Sequence, residues 1–414
     1  MKSCKTLPFY PAMDKSFHHK KNPYVSRIES SRVPLWLNKR PLLTHLDMEI
    51  TERCNLNCIH CYINQPAGDE AGRKKELATA AIKAILKDAA DLGCLSIRFT
   101  GGEPLLREDF EELYIAARKL GMKVILFTNA TLLTPRITAL FTEIPPLAPI
   151  EITLYGMKKK SYETVTRTPG SFEAAWRGID LVIARKLPFA VKSALLPPCL
   201  DEIGEFESWA AGVPTLSDAP SPVLLFNLRG RRDSARKNAA IRKLRLPPEK
   251  AVAILARDET AYIANTLAFC SRFTAPPDAG LFRCGAGKGG GAVSADGFFQ
   301  PCLLLRHPDT LYDLKTGSFN EALTRFFPEA RKIKAAHPDY LKRCAHCFLK
   351  GLCEQCPARS WMEHGTLDTP VDYLCEFAHA QARRLGLLKE NEDAWAVPNW
   401  KVRIKGLAFR PGSR

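Results

Sequence analysis

From residue 44 onward the chain alternates short apolar segments with amphipathic ones, and this alternation restricts the fold more than any other feature. Six segments have the length and composition of buried strands, namely Thr44–Ile50, Cys94–Thr100, Lys123–Thr128, Ile150–Leu154, Phe189–Leu195 and Pro222–Leu228. Helical periodicity lies between them, at Ala78–Leu92, Glu108–Leu120, Pro135–Thr142, Phe172–Arg185 and Ile203–Ala211. Strands separated by helices pair in parallel through right-handed crossovers. We therefore predict an α/β fold, a partial (β/α)6 barrel of the TIM type, whose chemistry lies at the carboxyl ends of the strands.

The rest of the chain divides around this predicted barrel. The predicted units are a lead-in at 1–43, the barrel at 44–230, a basic helical linker at 231–268, a small loop-rich domain at 269–388 and a basic tail at 389–414. The segment Arg229–Arg245, which leads into the linker, has eight Lys or Arg among its seventeen residues. A solvated basic helix explains this charge, and so does a docking surface for an acidic substrate segment.

The 14 cysteines and the N-terminal composition indicate the compartment. Met1–Tyr24 lacks the apolar run of a signal peptide, and no later stretch reaches the 18 apolar residues of a membrane span. We expect a cytoplasmic protein without a membrane partner, in which clustered cysteines indicate metal or redox chemistry rather than disulfides. The formal net charge of +16 suits an acidic peptide, a nucleic acid or a phosphorylated substrate.

A Cys-x3-Cys-x2-Cys loop follows the first predicted strand and consists of Cys54, Cys58 and Cys61. Three thiolates at this spacing can converge on one iron–sulfur cubane and leave its fourth iron without a protein ligand. An open iron can bind a substrate or cofactor. A structural zinc site would need a fourth ligand and paired knuckles, and the one nearby candidate, His60, lies between two of the cysteines. An iron–sulfur cluster is therefore favoured over zinc.

The second predicted strand ends in Gly101, Gly102, Glu103 and Pro104. Glycines allow the backbone to approach a ligand closely, and a carboxylate beside them can hold an ammonium group. Because the carboxyl ends of parallel strands meet at one mouth of a barrel, we expect this segment to lie beside the cysteine loop.

With these two motifs, residues 44–230 resemble the radical S-adenosylmethionine (SAM) superfamily. The resemblance implies that Cys54, Cys58 and Cys61 bind a [4Fe-4S] cluster whose open iron binds SAM. It also implies that Gly101–Pro104 holds the methionine amino group and that His60, at an often aromatic position, lies by the adenine. More weakly, it places three residues at ribose or carboxylate contacts: Asn129, Thr153 and Lys192. The reaction that it implies is reductive cleavage of SAM to a 5′-deoxyadenosyl radical, which abstracts hydrogen from a substrate.

Seven downstream cysteines resemble the SPASM extension of many radical SAM enzymes, which carries two auxiliary [4Fe-4S] clusters. The resemblance implies one cluster on Cys284, Cys302 and Cys356, and another on Cys344, Cys347, Cys353 and Cys375. The eighth ligand position is then filled by Cys270 or stays open to substrate. The chain has two residues between Cys353 and Cys356, where the extension usually has three. A double zinc ribbon is the alternative, because two pairs of these cysteines are spaced as zinc knuckles.

Family members with auxiliary clusters mostly modify peptides, so the resemblance implies a peptide or protein substrate and an electron donor such as flavodoxin or ferredoxin. Leu303 stands where sulfatase-maturing members have Asp, and we therefore favour maturation of a ribosomally made peptide. Two alternatives stay open: modified-haem biosynthesis, and an iron–sulfur electron-transfer protein without radical chemistry. A nucleic-acid partner is not expected.

Overall fold

The structure is a computed structural model that describes residues 42–63, 65–217, 221–223, 234–270 and 277–408. Within these ranges the side chains of 221–223, 267–270 and 405–408 are not described. Most of the predicted lead-in, the first part of the basic segment and the end of the predicted tail lie outside the described residues.

Nine strands form one sheet, and two short strands form a separate pair. The strands are β1 His45–Thr51, β2 Arg53–Cys54, β3 Gln65–Pro66, β4 Ser96–Gly101, β5 Lys123–Thr128, β6 Ile150–Thr153, β7 Phe189–Ala194, β8 Ser221–Val223, β9 Gly290–Val293, β10 Phe298–Gln300 and β11 Tyr312–Asp313. Their order in the large sheet is β11-β10-β9-β1-β4-β5-β6-β7-β8. From β9 to β8 the neighbours are parallel, whereas β9, β10 and β11 pair antiparallel.

Helices connect the parallel strands and continue into the second half of the chain. They are α1 Glu70–Arg73, α2 Thr79–Asp91, α3 Phe110–Lys119, α4 Pro135–Glu143, α5 Lys159–Thr166, α6 Ser171–Ala184, α7 Ile203–Ala211, α8 Ala235–Arg242, α9 Pro248–Leu255, α10 Glu259–Cys270, α11 Phe319–Glu321, α12 Phe327–Ala330, α13 Pro357–His364, α14 Asp372–Arg384 and α15 Trp400–Ala408. Short 3-10 or π turns lie at Pro104–Leu106, Pro197–Glu202, Pro308–Thr310, Ala322–Phe326, Tyr340–Cys344 and Phe348–Gly351. None of the described helices has both the length and the apolar composition needed to cross a membrane.

The predicted α/β partial barrel is confirmed by the parallel order of β1 and β4 to β8. Several elements around the barrel were not predicted. Helix α5 was missed between β6 and α6, and β9 to β11 extend the barrel sheet beyond β1. The first strands of the cysteine-rich half of the chain therefore belong to the same sheet as the barrel.

The two faces of the barrel strands differ in polarity. Leu46, Met48 and Ile50 of β1 are buried in the apolar core that the helices cover. Because side chains alternate along a strand, Asp47 and Glu49 lie on the opposite, inner face. Arg98 of β4 lies there too, since its Nη1 donates to Asp47 Oδ1 at 2.8 Å. The interior of this barrel is therefore lined by charged groups.

The basic segment is partly docked in the structure. Beyond residue 233 it forms α8 and then packs against α13, where Arg242 Nε lies 3.4 Å from a Glu363 carboxylate oxygen and Arg245 contacts the same carboxylate. Lys237 Nζ donates to the carbonyl of Tyr62 at 3.2 Å, directly after the cysteine loop. The described part of the basic segment contains five basic residues. Three of them, Lys237, Arg242 and Arg245, make the contacts above with Tyr62 and Glu363.

Candidate functional site

The cysteine loop leaves the carboxyl end of β1, and its three thiols lie close together. Cys58 is buried, and Cys54 and Cys61 are half-buried. Burial raises the pKa of Cys54 to about 12, and the negative charges of Glu103 and Cys61 add to this effect. Burial, with the charges of Cys61 and Cys54, also raises the pKa of Cys58. Thiols in this setting stay protonated unless a metal supplies positive charge, which makes the loop suited to hold a metal centre.

The loop is docked onto the end of α5. Asn57 N donates to Thr166 O at 3.0 Å, and Ile59 N donates to Val165 O at 2.9 Å. In addition, Arg167 Nε donates a hydrogen bond to Asn57 O at 3.0 Å. The unpredicted helix α5 thus supports the segment between Cys54 and Cys61.

A buried ion network holds the start of the loop. Glu76 Oε1 accepts hydrogen bonds from Thr51 Oγ1 at 2.5 Å and from Arg53 Nε at 2.8 Å. Arg107 Nη1 lies 3.6 Å from the same carboxylate and donates to Ile50 O at 3.0 Å. The side chains of Glu76 and Arg107 are each 8% exposed, so this network is shielded from water. The network fixes Arg53, the residue before Cys54. No motif in the sequence predicts this network.

Gly101 and Gly102 pack against the strand that leads into the cysteine loop. A Cβ at Gly101 would lie 1.9 Å from Thr51 O, and one at Gly102 would lie 2.0 Å from Arg53 O. The backbone at Gly101 has φ +127°, which favours glycine. Gly102 N donates to Thr51 O, and Glu103 N donates to Arg53 O, both at 2.8 Å. We expected these glycines to admit a ligand; the close approach seen here is between two segments of the chain.

Glu103 is buried beside this junction, at the start of the turn that Pro104 begins. Its carboxylate accepts hydrogen bonds from Thr128 Oγ1 at 2.7 Å, Asn129 N at 2.8 Å and Leu105 N at 3.1 Å. Burial raises the pKa of Glu103 to about 7, and the three hydrogen bonds oppose the rise. The carboxylate is therefore held in one orientation, and a neighbouring cation would stabilise its charged form.

Asn129 is directed towards the cysteine loop. Its Nδ2 lies 3.0 Å from Asn55 Oδ1 and 3.7 Å from Cys54 Sγ. Its Oδ1 accepts hydrogen bonds from the Thr131 backbone and hydroxyl, at 3.0 and 2.6 Å. The side chain therefore orients Cys54, whatever else it contacts when a ligand is bound.

Thr153 is the last residue of β6, and Lys192, paired with it in register, lies two residues before the end of β7. Lys192 Nζ is 3.9 Å from Glu151 Oε1, and its side chain is 36% exposed. Arg98 Nε lies 3.6 Å from the other oxygen of Glu151. Both predicted residues thus lie near the carboxyl ends of their strands, and Lys192 lies beside the charged inner face.

His60 packs edge-on against Tyr155, with 5.0 Å between the ring centroids. Burial lowers the pKa of His60 to about 4, so its imidazole is neutral at pH 7. Tyr155 is itself buried and lies close enough to the Cys58 thiol to affect its pKa. Sequence reasoning missed Tyr155; its place directly after Leu154, the last residue of the predicted strand, was the available signal.

The downstream cysteines form two groups in space. Burial raises the pKa of Cys302 to about 11, and the charges of Cys356 and Cys284 add to it. Burial raises the pKa of Cys353, and the charges of Cys347, Cys375 and Cys344 raise it further. A cavity of about 370 Å³ is lined by every cysteine of both groups except Cys302. The side chain of Cys270 lies outside those described, so its part in these groups stays a prediction.

The donor sets consist of thiols, which both iron–sulfur clusters and structural zinc sites take as ligands. Among the described residues, no three or more His, Cys, Asp or Glu side chains are arranged around one metal ion. The ligands of a four-iron cubane stand farther apart than those of an ion, because each thiolate binds a different iron. Groups made of thiols alone match the soft ligands that iron–sulfur clusters take.

Comparison with known families identifies the part of the chain that carries the cysteine loop. The sequence description of the radical SAM superfamily matches residues 48–206. This part of the chain is a radical SAM domain. It includes the cysteine loop, Gly101–Pro104 and strands β4 to β7.

Sequence relatives of known name share only part of their length with this chain. The chain is 31% identical over 155 residues to an AdoMet-dependent heme synthase from Methanosarcina barkeri, and 33% identical over 142 residues to an Fe-coproporphyrin III synthase from the same organism. The matches cover 37% and 34% of this chain, and 43% and 34% of those relatives. The chain therefore spans less than half of the relatives' length.

Solved structures share the fold over more of the chain. SuiB from Streptococcus suis bound to S-adenosylmethionine has a TM-score of 0.55 at 17% identity, covering 81% of this chain and 75% of SuiB. The anSMEcpe structure with AdoMet and the Kp18Cys peptide also has a TM-score of 0.55 at 17% identity, covering 88% and 99%. At such low identity these structures show the radical SAM fold, a partial barrel followed by a C-terminal domain.

Proposed function

We propose that this chain is a radical SAM enzyme that acts on a peptide or protein. The observation that carries the proposal is the junction at the barrel mouth, where Gly101 and Gly102 bring Glu103 against the segment that enters the three-cysteine loop. Cys54, Cys58 and Cys61 would hold a cluster that supplies the electron for reductive cleavage of SAM, the source of a radical that would take a hydrogen atom from the substrate.

The described residues have distinct roles in this proposal. Cys54, Cys58 and Cys61 hold the cluster, and Asn129 orients the first of them through its Nδ2 contact. Glu103 binds the methionine ammonium group, for which its buried, fixed carboxylate is suited. Further contacts to SAM come from four residues: His60, Pro104, Thr153 and Lys192.

The auxiliary cysteines extend the proposal. We assign one [4Fe-4S] cluster to Cys284, Cys302 and Cys356, and a second to Cys344, Cys347, Cys353 and Cys375. The grouping of their electrostatic interactions supports this partition. A cytoplasmic flavodoxin or ferredoxin is the proposed electron donor, because the reaction consumes electrons of low potential.

A peptide substrate is supported by two features. The chain is strongly basic, and its fold resembles that of anSMEcpe, a protein solved with a bound peptide, over 88% of the chain. The residue after Cys302 is Leu303 rather than Asp, which keeps sulfatase maturation out of the proposal.

The test is anaerobic reconstitution followed by reaction with SAM and dithionite. We expect about 12 irons per chain, from three four-iron clusters, and 5′-deoxyadenosine detected by mass spectrometry. The matched control replaces Cys54, Cys58 and Cys61 by Ala and should keep about 8 irons while making no 5′-deoxyadenosine. A fully reconstituted protein that makes none would instead be an electron-transfer protein, and about 4 irons with bound zinc would refute the auxiliary clusters.

Modified-haem biosynthesis is the second candidate, favoured by the named relatives from Methanosarcina barkeri. Fe-coproporphyrin III serves as the probe. SAM-dependent change in the mass of this porphyrin, with no change in any peptide, would favour this candidate over peptide modification.

A further inference from the structure

Arg306 connects the cysteine-rich part of the chain to the barrel interior. It follows Cys302 by four residues, yet its guanidinium lies against β1, where Nη2 is 2.5 Å from Glu49 Oε1. The Tyr62 ring, one residue beyond the cysteine loop, is centred 5.9 Å from the Arg306 guanidinium carbon. Arg306 is therefore placed beside the barrel mouth by a distant part of the sequence.

Two nitrogens of this guanidinium lack partners among the described residues. Arg306 Nε and Nη1 are buried and have no hydrogen-bond partner in the described part of the chain. The side chain is only 11% exposed, and that of Glu49 is 1% exposed. A buried donor without an acceptor is costly, typically about 1–3 kcal/mol and more for a charged group. Native proteins rarely keep such donors unless a ligand, an ion or water meets them.

The surrounding charge defines which acceptor fits. Burial disfavours the charged form of Arg306. The negative charge of Glu49, with smaller effects of Tyr62 and Glu52, nevertheless keeps the pKa of Arg306 above its usual value. Glu49 supplies the counter-charge, and Glu52 adds a second negative charge nearby. A further carboxylate would be repelled by both, whereas a neutral carbonyl oxygen accepts hydrogen bonds without adding charge.

We infer that the Arg306–Glu49 pair is a docking point for a neutral carbonyl oxygen of the substrate, such as a peptide carbonyl. This inference rests on the proposed function, because it names the group by which a peptide is held inside the barrel. Arg306 acts as a binding residue, and Glu49 positions it.

The experiment measures peptide retention by the reconstituted protein with SAM bound. The probe is a pool of acetylated, amidated heptapeptides that contain no Asp or Glu, and retained peptides are counted by mass spectrometry. The test variant combines Glu49→Gln with Arg306→Gln, so that no buried charge is left unpaired. Arg325→Gln is the matched control, since Arg325 is an exposed arginine paired with Glu321. SAM affinity and the melting temperature are measured for each protein.

We expect the double variant to retain at least about tenfold fewer peptides than the wild type, with SAM affinity unchanged. If the wild type and the double variant retained equal numbers of peptides, the role of Arg306 would be overturned and the proposed function would stay intact. A wild type that makes 5′-deoxyadenosine but retains no peptide would overturn the peptide substrate and this inference together. Loss of Fe-coproporphyrin III binding in the variant, with peptide retention intact, would assign Arg306 to a carboxylate ligand and refute the neutral acceptor.

Discussion

Glu103 carries the contact to SAM in the proposed site, and its surroundings define what a substitution removes. The change Glu103→Gln keeps the shape but replaces a carboxylate that can hold an ammonium group. Because hydrogen bonds to charged groups contribute about 1.5–3 kcal/mol, we expect SAM affinity to fall about 10- to 100-fold. Isothermal titration of the reconstituted protein measures this. Glu108→Gln, at an exposed position nearby, should bind SAM like the wild type; unchanged affinity in Glu103→Gln would contradict the assignment.

The same carboxyl predicts a pH dependence of stability. Burial raises the pKa of Glu103 to about 7, whereas glutamate in an unfolded chain titrates near about 4.3. Between these values the folded state keeps a proton that the unfolded state has lost, so this group lowers stability by up to about 4 kcal/mol as pH rises. His60 acts in the opposite direction below about pH 6.5, because burial lowers its pKa to about 4.

We therefore expect Glu103→Gln to gain stability relative to the wild type between about pH 4.5 and 7.5. Urea unfolding of the protein without clusters, compared at several pH values, measures the difference. If the two proteins kept a constant difference across this range, the carboxyl would titrate normally in the folded state.

At this scale the sequence predicted the residues whose spacing is local. The three cysteines and Gly101–Pro104 lie within short motifs, so their chemistry could be inferred without coordinates. Glu76 and Arg306 could not be found in this way, because only tertiary packing brings them to Arg53 and Glu49. A lone Glu or Arg in a sequence has no signal that separates a buried partner from a solvated side chain.

Among the elements, the cysteine loop depends on the ion network at its base. Glu76→Gln would leave the largely buried Arg53 without its carboxylate, whereas Arg107 keeps its closer pair with Asp109. Breaking a buried ion pair from one side costs about 3–5 kcal/mol, so we expect the loop to hold its cluster poorly. Iron per chain should fall from about 12 towards about 8 while the auxiliary clusters remain.

Iron analysis and the electron paramagnetic resonance signal that SAM perturbs measure this effect. Glu70→Gln is the control, because Glu70 is 68% exposed and its pair with Arg73 is a surface contact. Loss of iron in both variants would show that the effect is not specific to the network.

The predicted strands and helices match the structure where hydrophobic periodicity is strong. Helix α5, Lys159–Thr166, was not predicted because its residues are mostly polar and only one narrow face of the helix is buried. Strand β9 was not predicted because it is only four residues long and begins with two glycines. Its assignment depends on β1, which is more than two hundred residues away in the sequence, so local propensity cannot reveal it.

In the whole molecule, strand β9 joins the cysteine-rich part of the chain to the radical SAM domain. Gly290–Val293 pairs in parallel with His45–Met48, and Ala292 lies fully buried between β1 and β10. Arg306 adds a second connection through Glu49. A sheet and a buried ion pair shared by two parts of a chain couple their unfolding, so we expect the wild type to unfold in a single transition.

Ala292→Pro tests this coupling, because proline removes a backbone hydrogen-bond donor from the middle of the sheet. We expect it to split unfolding into two transitions, the less stable one belonging to the cysteine-rich part, as followed by urea unfolding with fluorescence and circular dichroism. Ala292→Gly, which weakens the strand by only about 0.5–1 kcal/mol, should keep one transition. Two transitions already present in the wild type would mean that β9 does not couple the two parts, and that Arg306 reaches the barrel from a domain that folds on its own.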